Sequence, residues 1–243
     1  MPGWLKRGRT NKDEPEKPFF SGKLHLAGFY FFAFIGLLVV ALSKDHAKKM
    51  SFFVYVMSTL CLYAASTTLH TTKWHDPKLE LWIQKLDHAM IIIQIAGTYT
   101  PVCLVNMPDN ETWPLLILGS VWLLSALGMF KSLYWNNPPK IFNVAYYFLL
   151  GLTILPFMPK VVKVLDKFEW ISFAVAGIIY LCGGATYGLE WPDPHPKIFG
   201  FHEIFHLCTL TANILFFVPI GRAALLQSFE TNNGPRKVFG TTG

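Results

Sequence analysis

Charge is scarce in this chain. Asp, Glu, Lys and Arg make up only 15% of its 243 residues, while 52% are hydrophobic. A soluble domain carries about 25% charged residues. The deficit argues against an ordinary water-soluble globule and makes lipid the solvent for much of the chain. Cysteine is scarce too. Cys61, Cys103, Cys182 and Cys208 all fall inside apolar runs with no CxxC pair. They read as buried small hydrophobes, not as a disulfide framework or a thiolate metal site. No Arg-rich helix or aromatic–basic repeat is present, so nucleic acid is not expected as a partner. The first twenty-odd residues lack a short apolar core with a cleavage site, and read as no signal peptide.

What is present is a series of long apolar runs. They lie at about residues 24–43, 51–70, 87–106, 113–130, 141–158, 170–190 and 201–221, most near the roughly 20 residues that cross a bilayer. The connectors hold the breakers: Asp76-Pro77, Pro108-Asp109-Asn110, Asn136-Asn137-Pro138-Pro139 and the run Trp191 to Pro196. The expected fold is therefore an all-α membrane protein of seven transmembrane helices. Residues 1–23 form a basic polar tail, 24–221 the membrane domain and 222–243 a C-terminal tail. The formal net charge is +6, much of it from Lys6, Arg7, Arg9, Lys12, Lys17 and Lys23. Such a tail suits an orientation signal or a contact with anionic lipid. Twelve Lys and Arg fall on the side of the N-terminus and nine on the other. The excess predicts a cytosolic N-terminus, with the C-terminus on the opposite side.

Ionisable residues inside membrane spans are rare, costly and usually functional. Three clusters stand out. "STTLH" closes the second span and puts Ser66 and His70 on one helix face, at i and i+4. "LDHAM" opens the third span with Asp87 and His88. "GFHEIFHL" opens the seventh with His202 and His206, again at i and i+4. The second span ends where the third begins, and the seventh starts on that same side, so all three clusters share one rim. Three neutral imidazoles and a water satisfy tetrahedral Zn²⁺ with an open catalytic position. Asp87 would then hold the water or take its proton, and Ser66 could bond Asp87 or a substrate oxygen.

Each residue also has a plainer reading. A histidine at a helix end is more often solvated or a cap. Asp87 alone could be an N-cap, and Ser66 could bond its own backbone. His88 lies about 100° around the helix from Asp87 and reads as a bystander. His-Glu-x-x-His is the zinc motif of soluble metalloproteases, in which Glu203 would be the base. Here Asp87 already supplies a carboxylate, and an acid in the first helical turn is favoured by the helix dipole alone. Gln94, Thr98, Tyr99, Thr100, Asn143, Tyr146, Tyr187 and Asn213 could line a substrate route or serve as interhelical hydrogen-bonding residues. "IAGTYTP" and "CGGATYG" read as close-packing devices, with Pro101 kinking the third span.

The stretches Ser66–His70, "LDHAMIIIQIAGTYTP" (86–101) and "FGFHEIFHL" (199–207) resemble the hemolysin III family, within the progestin and adipoQ receptor group. The resemblance implies seven helices, a cytosolic N-terminus and a zinc ion held by His70, His202 and His206 near the cytosolic face. It implies Asp87 as holder of the water and Ser66 as completing the polar cluster. Related receptors are associated with ceramide amide hydrolysis, so a lipid amide or ester becomes the expected substrate. The alternative is a seven-span receptor or regulator in which the zinc is structural. The resemblance does not require an acid at Glu203.

Overall fold

The structure is a computed structural model, and it describes residues 18–135 and 138–230, with side chains to 225. Seven helices are long and apolar enough to cross a membrane. In chain order they are α1 (Lys23–Leu42), α2 (His46–Thr71), α3 (Pro77–Asn106), α4 (Trp113–Tyr134), α5 (Lys140–Val164), α6 (Lys167–Leu189) and α7 (Phe201–Glu230). No strand occurs among the described residues. The N-terminal tail up to residue 17 and the chain after 230 lie outside the described residues. α7 continues well past residue 221.

Local chemistry sets the helix starts. Asp45 caps α2 by accepting from the Lys48 amide at 2.9 Å. Asp76 does the same for Lys78 at 2.8 Å, with Pro77 pre-set in the first turn. Asp166 and Glu169 form a reciprocal capping box at the start of α6. α1 carries a π-turn at Phe32–Gly36. α5 loosens at residues 152–157 around Pro156. In α3, Pro101 is followed by a π-turn at Val102–Asn106, as its missing N–H and ring bulk demand. Thr98 and Thr100 bond the carbonyls of Gln94 and Ala96, both at 2.9 Å, one turn back along α3.

α2 and α3 are the central pair. Their most apolar stretches are 61% and 67% buried, against 17–22% for α1, α5 and α6. A Cβ on Gly97 would overlap Ser58 Oγ, so only glycine permits this approach of α3 to α2. Gly183 and Gly184 similarly let α6 pack against Cys208 of α7 and Phe148 of α5. Both small-residue motifs are thus packing devices.

Lipid offers no hydrogen bonds, so buried polar groups of the bundle must find partners inside it. Several do so in one mid-bundle network. Gln94 donates to Asn213 Oδ1 at 3.1 Å, and Tyr180 donates to the same oxygen at 2.6 Å. Asn213 donates to the Tyr63 hydroxyl at 2.8 Å, and Ser58 donates to Gln94 Oε1 at 2.9 Å. Tyr55 adds a bond to the Asn213 carbonyl at 2.7 Å. These bonds tie α2, α3, α6 and α7 together. Tyr99, Thr100 and Tyr146 bond backbone or side-chain groups within the bundle, and Asn143 accepts from Lys131. Of the eight polar residues considered for a substrate route, Tyr187 is the one that lines the cavity described next.

A candidate metal centre at one rim of the bundle

The three sequence clusters meet. His70, at the end of α2, and His202 and His206, in the first turns of α7, each bring a ligand atom within 4.8 Å of the others. The Nε2 atoms of His70 and His202 are 3.1 Å apart. The ring of His206 is 5.1 Å from that of His70 and 4.4 Å from that of His202, centroid to centroid. His70 and His206 are almost fully buried.

Two imidazole nitrogens this close either share a proton or share a cation. Donors on a tetrahedral ion with metal–nitrogen bonds of 2.0–2.1 Å sit about 3.3 Å apart, so the observed spacing suits a shared ion. The Nδ1 atoms of His202 and His206 are buried and make no hydrogen bond. The donor set is all imidazole, which fits zinc and other first-row divalent ions. These residues therefore fit a metal, and imidazoles alone do not select which one.

Beside the imidazoles lies a cavity of about 20 Å³, room for one water. Its walls include Ser66 of α2, Asp87 and His88 of α3, Tyr187 of α6, and His202 and His206 of α7. Asp87 is 8% exposed and Ser66 1%. His88, expected to be a bystander, also reaches this cavity. Its Nε2 is 3.5 Å from the Tyr187 hydroxyl, and its carbonyl faces Tyr147.

Glu203 has a local task. Its Oε2 accepts from the Gly200 amide at 3.0 Å, while Asp193 accepts from the Phe201 amide at 3.1 Å. Glu203 thus reaches back across the first turn of α7 and caps it. It is 1% exposed and does not line the cavity. The His-Glu-x-x-His spacing here delivers two imidazoles and a cap.

Sequence reasoning missed His25. It lies in the first turn of α1, is 2% exposed and lines the same cavity. A usable signal existed: α1 starts at the rim where α3 and α7 start, and "KLHLAG" puts an ionisable residue inside an apolar run. The N-terminal segment also packs here. Phe19 and Phe20 donate backbone bonds to Lys197 and Ile198, and Gly22, at φ +74°, sits against His70.

A seven-helix membrane protein with a histidine cluster at one rim is the class these observations define. The sequence comparisons agree. Residues 14–217 match the family described as haemolysin-III related, and the chain belongs to that family, within the progestin and adipoQ receptor group. It is 28% identical to hemolysin-3 of Bacillus cereus over 183 residues, which cover 74% of this chain and 79% of that one. It is 25% identical to the monocyte to macrophage differentiation factor of Homo sapiens over 208 residues, 81% of this chain and 82% of the other. The adiponectin receptor protein of Drosophila melanogaster is 21% identical over 222 residues, 84% of this chain and half of the other. The chain is an integral, multi-pass membrane protein.

Proposed function

We propose that this protein is a zinc-dependent hydrolase of a lipid amide or ester, a ceramide-like lipid being one candidate. The carrying observation is that one small cavity joins two of the three clustered imidazoles to a carboxylate and a hydroxyl from other helices. His70, His202 and His206 would hold the ion. When bound, zinc supplies a Lewis acid that polarises a carbonyl and acidifies a water. Asp87 accepts the proton of the attacking water on a carboxylate oxygen and returns it to the leaving nitrogen or oxygen. Ser66 donates its Oγ–H to oxygen charge that develops as the carbonyl is attacked. The apolar helices around the rim exclude bulk water. The Lys and Arg excess supports a cytosolic position for this rim, with the basic tail beside anionic lipid.

The size of the cavity favours a second reading. About 20 Å³ admits a water but no acyl chain. A hydrolase must therefore part its helices to admit substrate, whereas a receptor or lipid-homeostasis regulator with a structural ion needs no such opening.

Metal content of the detergent-purified protein, followed by turnover of a ceramide and an ester lipid, separates the two. A hydrolase carries about one zinc per chain, loses it in His202→Ala and keeps it in Asp87→Asn. Asp87→Asn then lowers turnover by about 10²–10⁴-fold. A metal that stays while Asp87→Asn changes nothing establishes the structural reading instead. No metal in well-folded wild-type protein overturns both.

A further inference from the structure

We propose that His25 is a working imidazole of this site: a positioning residue that holds, by hydrogen bond, the oxygen occupying the cavity beside Asp87 and Ser66. That oxygen belongs to water in the resting protein. When substrate is bound it is the carbonyl oxygen of the lipid, an assignment that rests on the hydrolase reading above.

Three observations support this role. First, His25 is 2% exposed, and neither ring nitrogen makes a hydrogen bond within the protein. A buried polar group without a partner is costly, and native structures avoid it unless a bound molecule supplies the bond. Ser66 Oγ, which lines the same cavity as Asp87, also makes no hydrogen bond. Second, the residues line one cavity with room for one water. Such a water needs two to four polar partners. Asp87 offers acceptors, Ser66 a donor or acceptor, and a neutral imidazole one of each. Third, the ring of His25 lies nearly parallel to that of His206, at 3.9 Å between centroids and 18° between planes. Imidazole lone pairs lie in the ring plane. Stacked rings cannot aim them at one ion, so His25 is not a fourth ligand beside His206.

The local sequence explains how His25 reaches the site. Gly28 is three residues on and shares its face. A Cβ there would lie 2.8 Å from Tyr63 and 2.9 Å from Leu210, so glycine lets α1 close on α2 and α7. Tyr63 also packs against the His25 ring, at 4.8 Å between centroids. The Tyr63 hydroxyl is itself held by Asn213. The ring is thus fixed by its neighbours before any ligand arrives, as a positioning group should be.

A plain structural reading makes His25 an aromatic filler, for which Phe would serve equally. The test is a double-mutant cycle on thermal unfolding of the detergent-purified protein, using His25→Phe and Ser66→Ala, with and without zinc. His25→Phe keeps the stacking area and removes the nitrogens. If a shared oxygen links the two side chains, their effects are non-additive by about 2–4 °C. His25→Gln, which keeps an N–H, then retains part of the coupling. Zinc content stays at the wild-type value in His25→Phe. Additive effects in protein stripped of zinc overturn the proposal, whatever the metal does. Loss of zinc in a folded His25→Phe protein also overturns it, by making the residue part of the metal shell. Failure of the hydrolase reading shows separately, as wild-type protein without metal or an Asp87→Asn variant without effect. Should His25→Phe fail to fold while His25→Gln folds, the cycle is run with Gln against Ser66→Ala, and coupling is still required.

Discussion

Two polar clusters lie on the same helices and obey opposite rules. The mid-bundle network around Asn213 and Gln94 is saturated: both amides bond polar groups of neighbouring helices. The rim cluster, two turns nearer the start of α7, leaves Ser66 Oγ, both His25 nitrogens and the Nδ1 atoms of His202 and His206 without a hydrogen bond. In hydrocarbon the first arrangement holds helices together and the second costs stability. A cluster that keeps open valences beside a cavity is built for something that binds there. Of these two clusters, the one with open valences is the one that lines the cavity.

Substitutions can break this contrast. Asn213→Ala should have the largest effect on stability, because it strands Gln94, Tyr63 and Tyr180 together. At roughly 0.6–1.7 kcal/mol per interhelical hydrogen bond, a fall of several degrees in Tm is expected, with any metal binding at the rim retained at low temperature. Unchanged Tm would show that the network is not a lock. Gly97→Val should follow closely. Its side chain must displace Ser58, whose Oγ occupies the space of a Cβ and bonds Gln94. Ser58→Ala should rescue it only in part, since backbone of α2 also lies near.

At the rim the expected effects move from stability to metal. Gly22→Ala places a Cβ 3.1 Å from His70 Cβ and 2.8 Å from Thr71, at a positive φ that costs about 1 kcal/mol or more for alanine. It should weaken metal retention in a chelator competition more than it lowers Tm. Ser66→Ala should change Tm only slightly, because its hydroxyl makes no hydrogen bond to the protein and loses only the cavity oxygen. A marked loss of stability would mean that Ser66 belongs with the saturated network.

A pH-dependent effect belongs to the opposite end of the bundle. Burial pushes the Asp166 carboxyl up, but hydrogen bonds from the Glu169 amide and Arg222 prevail and hold it below the ordinary carboxylate range. A depressed pKa in the fold means that its contribution is present above the unfolded value and is lost as pH falls through the folded one. Asp166→Ala should cost about 1 kcal/mol at neutral pH, with a difference from wild type that narrows under acid.

Much of this was legible in the chain. Seven apolar runs with breakers between them specify seven spans, because a bilayer demands about 20 apolar residues per crossing. The parity of those spans places Ser66, His70, Asp87, His202 and His206 at one rim before any packing is considered. The i, i+4 spacing of His202 and His206 fixes their common face. Glu203, between them, has the mark of a helix-start residue in its place in the first turn, and it caps α7.

What the chain could not reveal is which polar groups close on one another. Asn213, Gln94 and Thr98 could have lined a route, and it is the packing of α2, α3, α6 and α7 that binds them into a network. His88 lies about 100° around α3 from Asp87, yet the cavity is wide enough in angle to include both. His25 shows the same limit from the other direction. Sequence determines which face of a helix a residue occupies, because periodicity is local. Whether that face meets a partner, an ion or a cavity depends on how closely separate helices approach. Here glycines at 28 and 97 set those distances, and the atoms they admit lie far away in the chain.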